Sequence, residues 1–476
     1  VVITQAAAGF ASWLRSRDDV GKVIVGYDAR HMSERFALDT AEIFAGAGFE
    51  VLITDEPTPT PVVAFGIRHF GCVAGIVVTA SHNPAADNGY KVYLGDGSQI
   101  IPPSDAEIAA EIATVAAGDW ASLARSEQRV VVGDELREAY AARLRDVIDD
   151  GPRDVSWVHT AMHGVGSRVV REVTAALGFP AAHEVQEQAE PHPEFPTVAF
   201  PNPEEPGAID LALVLAAQED VDVVVANDPD ADRCAVAAKV DGAWRMLTGD
   251  ELGAILGDDA IRREVPGVFA NSVVSSTLLA RMAEAAGRDH RTTLTGFKWI
   301  GRVPDLAFGY EEAIGYCVDP RAVPDKDGIA TAMTVLRVVA ELRAEGLTLA
   351  DRLDEIAVRF GLHATSQLSV RVADLALIAE AMAKLRANPP ATLLGGEVGV
   401  ADLAEGLGGL PPTDAVELSG ERVRVVARPS GTEPKLKVYM EVRMAPTDNV
   451  AAARAEAREL LRDLREEMAT ALGVPA

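Results

Sequence analysis

The chain has 476 residues, more than the roughly 250–300 that one hydrophobic core serves, so three or four domains are expected. A formal charge of -28, from 72 acidic against 44 basic side chains, repels polyanions and argues against nucleic acid as a partner; a phosphate must be met by local basic clusters. The 48% hydrophobic content argues against disorder, and no apolar run is long enough to span a bilayer, so no membrane partner is expected.

Cys72, Cys234 and Cys317 are scattered without CxxC spacing, which predicts a reducing, cytoplasmic setting with neither zinc site nor disulfide frame. The first residue is Val1, and VVITQAAAGFASWLR reads as a helix already under way, so a further N-terminal segment is expected before it. Strands are predicted at VIVGYD, FEVLIT, GIVVTA and YKVYL, and a helix at FALDTAEIFAGAG, stopped by its glycine. DELREAYAARLRDVIDD places Leu136, Tyr140, Leu144, Val147 and Ile148 on one helical face, and DDGPRD reads as a linker.

The pattern restarts with SWVHTAMHG, SRVVREVTAALG and DVVVAN, and again with GVFANS, TTLTG, LAFGY and the helix GIATAMTVLRVVAELRAEG. Strands alternating with helices predict largely parallel sheets covered on both faces. Beyond about Leu362 the text changes to LSVRV, RVRVVARPS and KLKVYMEVRM with a long Ala/Glu/Arg helix, an α+β pattern. The expected division is three α/β domains at 1–148, 149–265 and 266–362, followed by an α+β domain at 363–476.

Ligands of open α/β sheets sit beyond the carboxyl ends of strands. The first such end is TASHNPAADNGYK. Ser81 lacks the G-x-S-x-G of a hydrolase elbow, and in an extended segment Ser81 and His82 point apart, so a direct nucleophile–base pair is disfavoured. The residues alone leave open a polar loop or a functional serine. The second end, VVVANDPDADR, alternates Asp228, Asp230 and Asp232 after a β run; three carboxylates so close call for a hard cation such as Mg²⁺. An EF-hand fails, because Arg233 and Lys239 stand where Gly and Glu are needed.

The third end, LAFGYEEAIGY, sets Glu311 and Glu312 between glycines, as sugar-binding acids or as exposed loop acids. Two basic stretches could meet phosphate. ARPSGTEPKLKVY gathers Arg428, Ser430, Thr432 and Lys435 around Gly431, and TLTGFKWIGR places Lys298 after Gly296. No Walker A sequence occurs, so ATP is not implied. HGVGSRV imitates a dinucleotide fingerprint, with Val169 in place of the third glycine and Glu184 at a plausible distance.

In this order the motifs resemble the α-D-phosphohexomutase superfamily: TASHNP with NG-x-K, DPDADR, the sugar loop and RPSGTEPK, flanked by GYDAR, FPNPEEPG and TGDELGAIL. The branch it looks most like holds bacterial phosphoglucomutases and the animal phosphopentomutase. The resemblance implies three similar α/β domains with mixed, mostly parallel sheets and a C-terminal phosphate-binding domain around a central cleft. It implies that Ser81 carries a phosphoryl group, that Asp228, Asp230 and Asp232 hold Mg²⁺ with a phosphoserine oxygen, and that Arg30, His82, Lys91 and Arg233 line the reacting phosphate or assist proton transfer. Glu311 would contact sugar hydroxyls, and Arg428, Ser430, Gly431 and Thr432 would grip the non-reacting phosphate.

The implied reaction interconverts hexose 1- and 6-phosphates, glucose favoured, through glucose 1,6-bisphosphate, in a monomer or dimer. Pentose 1-phosphates are the alternative substrates. Two features depart from the pattern. The glycine-rich first strand G-T-x-G-[LI]-R-G is absent, and Ala313 stands where many phosphoglucomutases have serine. A haloacid-dehalogenase-type aspartyl nucleophile is a competing mechanism, although Asp232 occupies its Thr/Val position. A silent sugar-phosphate sensor is a competing class, disfavoured by a serine suited to phosphorylation.

Overall fold

The structure is a computed structural model that describes residues 1–372, 374–430 and 435–475. The chain forms two compact units. The first comprises 1–249 and 297–348, the second 250–296 and 349–476.

The first unit holds two five-stranded sheets. In one, β1 (Lys22–Tyr27), β2 (Glu50–Thr54), β3 (Ala74–Val78), β4 (Lys91–Leu94) and β5 (Val130–Val132) take the order β4-β3-β1-β2-β5. All neighbours are parallel except β3 and β4. Alternation sorts the β-branched residues between two cores. Val23, Val25, Val51, Ile53, Ile76 and Val78 join Phe10, Leu14 and Phe44 in one buried cluster. Ile24 points the other way, against Gly66 of the helix Thr60–His69.

The other sheet repeats the plan. β6 (Trp157–Thr160), β7 (His183–Glu184), β8 (Val223–Asn227), β9 (Cys234–Val240) and β10 (Ala243–Met246) take the order β10-β9-β8-β6-β7. β6, β7 and β8 are parallel, while β9 and β10 run antiparallel to their neighbours.

The third α/β segment contributes to both units. The parallel pair β11 (Val268–Ser272) and β12 (His290–Thr293) belongs to the second unit. The antiparallel pair β13 (Leu306–Glu311) and β14 (Gly315–Cys317) belongs to the first. The helix Gly328–Ala344, whose N-cap Asp327 accepts from Ala330 N, is buried along most of its length. The expected α/β class therefore holds, with mixed, mostly parallel sheets.

The C-terminal part is α+β, as the alternating pattern predicts. After β15 (His363–Arg371), β16 (Thr392–Leu393) and β17 (Gly396–Glu397) form a small hairpin. β18 (Gly399–Asp402), β19 (Val416–Ser419), β20 (Val423–Pro429) and β21 (Lys435–Arg443) join β15 in an antiparallel sheet of order β15-β21-β20-β19-β18. The helices Ala376–Ala387 and Val450–Leu472 share its buried cluster through Met382, Leu385, Leu464 and Met468. Among the described residues no helix is long and apolar enough to cross a membrane.

The buried carboxylate of Glu441 on β21 knits the two chain segments of the second unit together. It accepts from Ser276 Oγ at 2.7 Å, Thr277 N at 2.8 Å and Thr277 Oγ1 at 3.0 Å, and meets His363 Nδ1 at 2.9 Å. Burial alone would raise its pKa, but His363 and these donors hold it at about 2. A depressed carboxylate stabilises the fold above its free-chain value and loses that contribution as pH falls toward the folded one. Glu441→Gln is expected to cost about 3 kcal/mol at pH 7. The gap to wild type should close between about pH 4.5 and 2 in urea titrations at stepped pH.

Candidate functional site

The serine loop and the acidic loop meet in the first unit. β3 ends at Val78, and the chain then turns through Thr79–Asn88 before returning as β4. Ser81 adopts a left-handed backbone with φ of 51°. Its N–H donates to Thr79 Oγ1 at 3.0 Å. This corrects the expectation of an extended segment. The left-handed residue swings His82 Nδ1 to 3.5 Å from Ser81 Oγ, at the limit of a hydrogen bond. The hydroxyl donates instead to Asp228 Oδ2, at 3.2 Å. Gly89 lets the returning chain pass Thr79, since a Cβ there would lie 2.4 Å from the Thr79 carbonyl oxygen.

The acidic loop follows β8 in the same way. Asp228, Asp230 and Asp232 are wholly buried. One oxygen from each lies within 4.8 Å of the others. Each carboxylate is also tethered through one oxygen. Asp228 Oδ1 accepts from Arg233 N at 3.0 Å, and Asp230 Oδ2 accepts from Thr60 Oγ1 and Lys91 Nζ, both at 2.6 Å. Asp232 Oδ2 accepts from Lys91 Nζ at 2.6 Å and lies 3.2 Å from Lys326 Nζ. Asp230 Oδ1 and Asp232 Oδ1 are buried without a hydrogen-bond partner. Orphaned carboxylate oxygens are costly in a buried site unless a cation meets them. This all-oxygen donor set therefore fits Mg²⁺, with Asp228, Asp230 and Asp232 as its holders.

Electrostatics divides the three acids. Burial, reinforced by Asp230 and Asp232, raises the Asp228 carboxyl well above the usual range. Burial would also raise Asp232, but Lys326, Lys91 and Arg233 outweigh it and pull that carboxyl below its ordinary value. Lys91 is raised because Asp230 and Asp232 overcome its desolvation. Desolvation, then the charge of Arg233, holds His82 well below its usual value, so this imidazole is neutral at neutral pH.

Descriptions of phosphoglucomutase/phosphomannomutase α/β/α domains I, II and III match residues 1–119, 138–242 and 248–360, and that of the C-terminal domain matches 368–460. The chain belongs to the phosphoglucomutase/phosphomannomutase family. Members of this family are isomerases of the intramolecular phosphotransferase class, and so is this chain. It is 44% identical to the "Probable phosphomannomutase" of Haemophilus influenzae, over 98% of this chain and 97% of that one. It is 34% identical to human phosphopentomutase, over 98% of this chain and 84% of the relative. A crystal structure of a Thermus thermophilus protein assigned as a phosphomannomutase matches with a TM-score of 0.75 and 26% identity, covering 97% of this chain and 95% of that one.

The remaining expected residues of this phosphomutase divide between the units. Arg233 is half-buried, and its Nη1 donates to the Ala313 carbonyl at 2.7 Å, tying the acidic loop to the sugar loop. Glu311 is close enough to help raise the Arg233 pKa, after Asp232 and Asp228 have outweighed its burial. Glu311 ends β13 and Glu312 begins the turn to β14; both are half-buried. Lys298 lies in the short helix Phe297–Ile300, with Nζ 6.0 Å from the Trp299 ring centre. Arg30 directs its guanidinium at the carbonyls of the serine loop.

Gly296, Arg428, Ser430 and Lys435 belong to the second unit. There Ser430 N donates to Lys435 O at 2.8 Å where β20 turns into β21, and the side chains of Arg428, Ser430 and Lys435 are half-buried. Gly431 and Thr432 lie outside the described residues.

Two residues of the acidic cluster escape motif reading. Thr60 opens a helix far upstream, and Lys326 sits in the loop ahead of the helix Gly328–Ala344. The only sequence signal for Lys326 is its place in PDKDG, a lysine between acids just before an apolar helix. The dinucleotide-like HGVGSRV has another use. Gly164 allows the loop to press on the acidic loop, where a Cβ would lie 2.4 Å from Pro229 Cα, and Val165 N donates to Pro229 O at 2.8 Å.

Because burial and its acidic neighbours push Asp228 toward the protonated form and a bound cation favours the ionised one, Mg²⁺ binding should release protons. Calorimetry in two buffers of different ionisation enthalpy is expected to show that release, and apparent affinity should strengthen as pH rises. Lys326→Met, which removes one cation from Asp232, is expected to lower turnover about 100-fold in steady-state assays.

Proposed function

We propose that this phosphomutase interconverts hexose 1-phosphates and hexose 6-phosphates through a phosphoserine at Ser81 and a hexose 1,6-bisphosphate, glucose and mannose being the hexoses. The reading is carried by one observation: Ser81 Oγ donates to Asp228 at 3.2 Å, inside a buried carboxylate trio with two unsatisfied oxygens. A dehalogenase-type aspartyl nucleophile would not need that serine. A sensor would not need a serine hydroxyl held against the carboxylates.

Phosphoryl transfer asks for position and charge neutralisation more than for covalent help. Bound at Asp228, Asp230 and Asp232, Mg²⁺ would supply that neutralisation beside the serine oxygen. The chain supplies the rest. Lys91, raised and therefore charged, stays a fixed cation between Asp230 and Asp232. Neutral His82 accepts the proton of the incoming sugar hydroxyl and returns it to Ser81 Oγ as the P–O bond to serine breaks and the one to sugar forms. Arg233 holds the sugar loop, so that Glu311 and Glu312 accept from sugar hydroxyls at a fixed place. Gly296, Lys298, Arg428, Ser430, Gly431, Thr432 and Lys435 serve the substrate and its distal phosphate.

The second reading is a phosphopentomutase for ribose or deoxyribose 1-phosphate. Two observations favour it: Ala313 offers the sugar no hydroxyl and has its carbonyl occupied by Arg233, and a human phosphopentomutase is among the relatives. A site that lacks a hydroxyl partner discriminates weakly for the sugar position it would have bonded.

Ser81→Ala is expected to abolish label from a [³²P] sugar bisphosphate and to lower kcat by at least about 1000-fold. Label on wild type should survive hydroxylamine; a hydroxylamine-labile label, or wild-type turnover in the variant, would sink the mechanism. Side-by-side kcat/KM for glucose 1-phosphate, mannose 1-phosphate and ribose 1-phosphate then decides between the readings. A hexose preference supports the first and a ribose preference the second.

A further inference from the structure

Arg30 is buried at the base of the serine loop, with its side chain 1% exposed. Its Nη1 donates to Pro84 O at 2.6 Å and approaches Asp87 O at 3.4 Å. Its Nη2 donates to Ser81 O and Asn83 O, both at 2.7 Å. Its Nε lies 3.1 Å from Asp28 Oδ2. The ring of Phe195 covers the guanidinium at 5.0 Å. Both terminal nitrogens are therefore engaged by main-chain oxygens, Nε is paired with Asp28 by charge without a hydrogen bond, and an aromatic ring covers one face. A planar fork buried to 1% exposure with its terminal donors engaged in this way leaves none of them for a phosphate.

The carbonyls it gathers belong to a segment that would not hold itself. Ser81 is a non-glycine residue at φ 51°, a strained conformation that persists only when its surroundings fix it. The segment from Asn83 to Asn88 contributes no strand or helix to the fold. Arg30 fastens the carbonyl of Ser81 and those two and three residues on, while Asp28 anchors Arg30 to the end of β1 and accepts from Ser33 Oγ at 2.6 Å. Asn88 Nδ2 adds a tie to His31 O at 2.8 Å.

We infer that Arg30 is a positioning residue: a cationic hub that holds the serine loop in the left-handed turn aiming Ser81 Oγ at the acidic loop, without touching substrate. This rests on the proposed role of Ser81 as the phosphoryl carrier. The clamp acts on kcat and not on sugar-phosphate binding. It needs a guanidinium, because the single nitrogen of an ammonium cannot present the spaced, in-plane donors that reach the carbonyls of Ser81, Asn83 and Pro84 together.

The test compares wild type with Arg30→Lys and with Asp28→Asn/Arg30→Gln, which removes both buried charges together and so spares the fold an unpaired one. Phosphorylation of Ser81 by glucose 1,6-bisphosphate, read by mass spectrometry, and turnover of glucose 1-phosphate should both fall about 100-fold in each variant, as expected for a displaced nucleophile. KM should stay within about threefold. Amide hydrogen exchange over 80–88 should quicken at least about tenfold, with the sheet amides of β1 and β3 unchanged.

Arg30→Lys at wild-type kcat would overturn the inference. So would a raised KM at unchanged kcat, or unchanged exchange over 80–88. If wild type itself takes no phosphate on Ser81, the phosphoserine reading fails, and the exchange comparison still decides the clamp by itself.

Discussion

The proposed chemistry of this molecule depends on three carboxylates buried together. Asp228, Asp230 and Asp232 have no surface exposure, and such a group is tenable only where positive charge meets it. The protein provides that charge from three separate places in the sequence: Lys91 at the start of β4, Arg233 just ahead of β9, and Lys326 in the loop before the helix Gly328–Ala344. The acidic loop cannot be placed without these residues. The approach of the serine loop and Lys91 to the acidic loop and the placement of Lys326 are therefore also electrostatic requirements of the site.

The repeated sheet plan explains how the cations arrive. In the first sheet the serine loop joins the parallel strand β3 to its antiparallel neighbour β4, and Lys91 is the first residue of the return strand. In the second sheet the acidic loop joins β8 to antiparallel β9, and Arg233 immediately precedes the return strand. The sugar loop likewise joins β13 to antiparallel β14. In the first two cases a parallel strand delivers the polar loop to its carboxyl end, and in all three a reversal sends the chain straight back. A side chain at the foot of the returning strand is thus placed next to the loop it has just left. A purely parallel repeat would have carried that residue away through a helix.

The sequence was legible where chemistry and local structure coincide. β-Branched runs marked strands β3 and β8, alternation marked the C-terminal sheet, and a run of acids after a buried strand marked the buried carboxylate cluster. It was least legible where a residue's importance comes from a distant partner. Nothing about Thr60 in TPTPVV announces a hydrogen bond to Asp230, 170 positions on. The backbone of Ser81 was misread because a β run suggests continued extension, whereas Thr79 Oγ1 and the Arg30 guanidinium fix a left-handed turn at once. HGVGSRV carried the opposite lesson. Its glycines answer a steric demand, the close passage of Gly164 over Pro229, which a phosphate-binding pattern imitates.

Charge arithmetic at the acidic loop also constrains how the site is loaded. Lys91, Lys326 and Arg233 face the three acids, but Lys326 is shared with the buried Asp325, 3.6 Å away, so four carboxylates meet three cations. Burial and its two acidic neighbours push Asp228 toward the protonated form, which relieves that excess of negative charge. In the proposed mechanism a phosphoserine of charge near −2 at Ser81 would add to the excess, and a divalent cation would offset it where little solvent is left to screen either. Cation binding at the carboxylates and phosphoryl storage on Ser81 would therefore be favourably coupled through Asp228, which offers one oxygen to the serine hydroxyl and the other to the Arg233 amide.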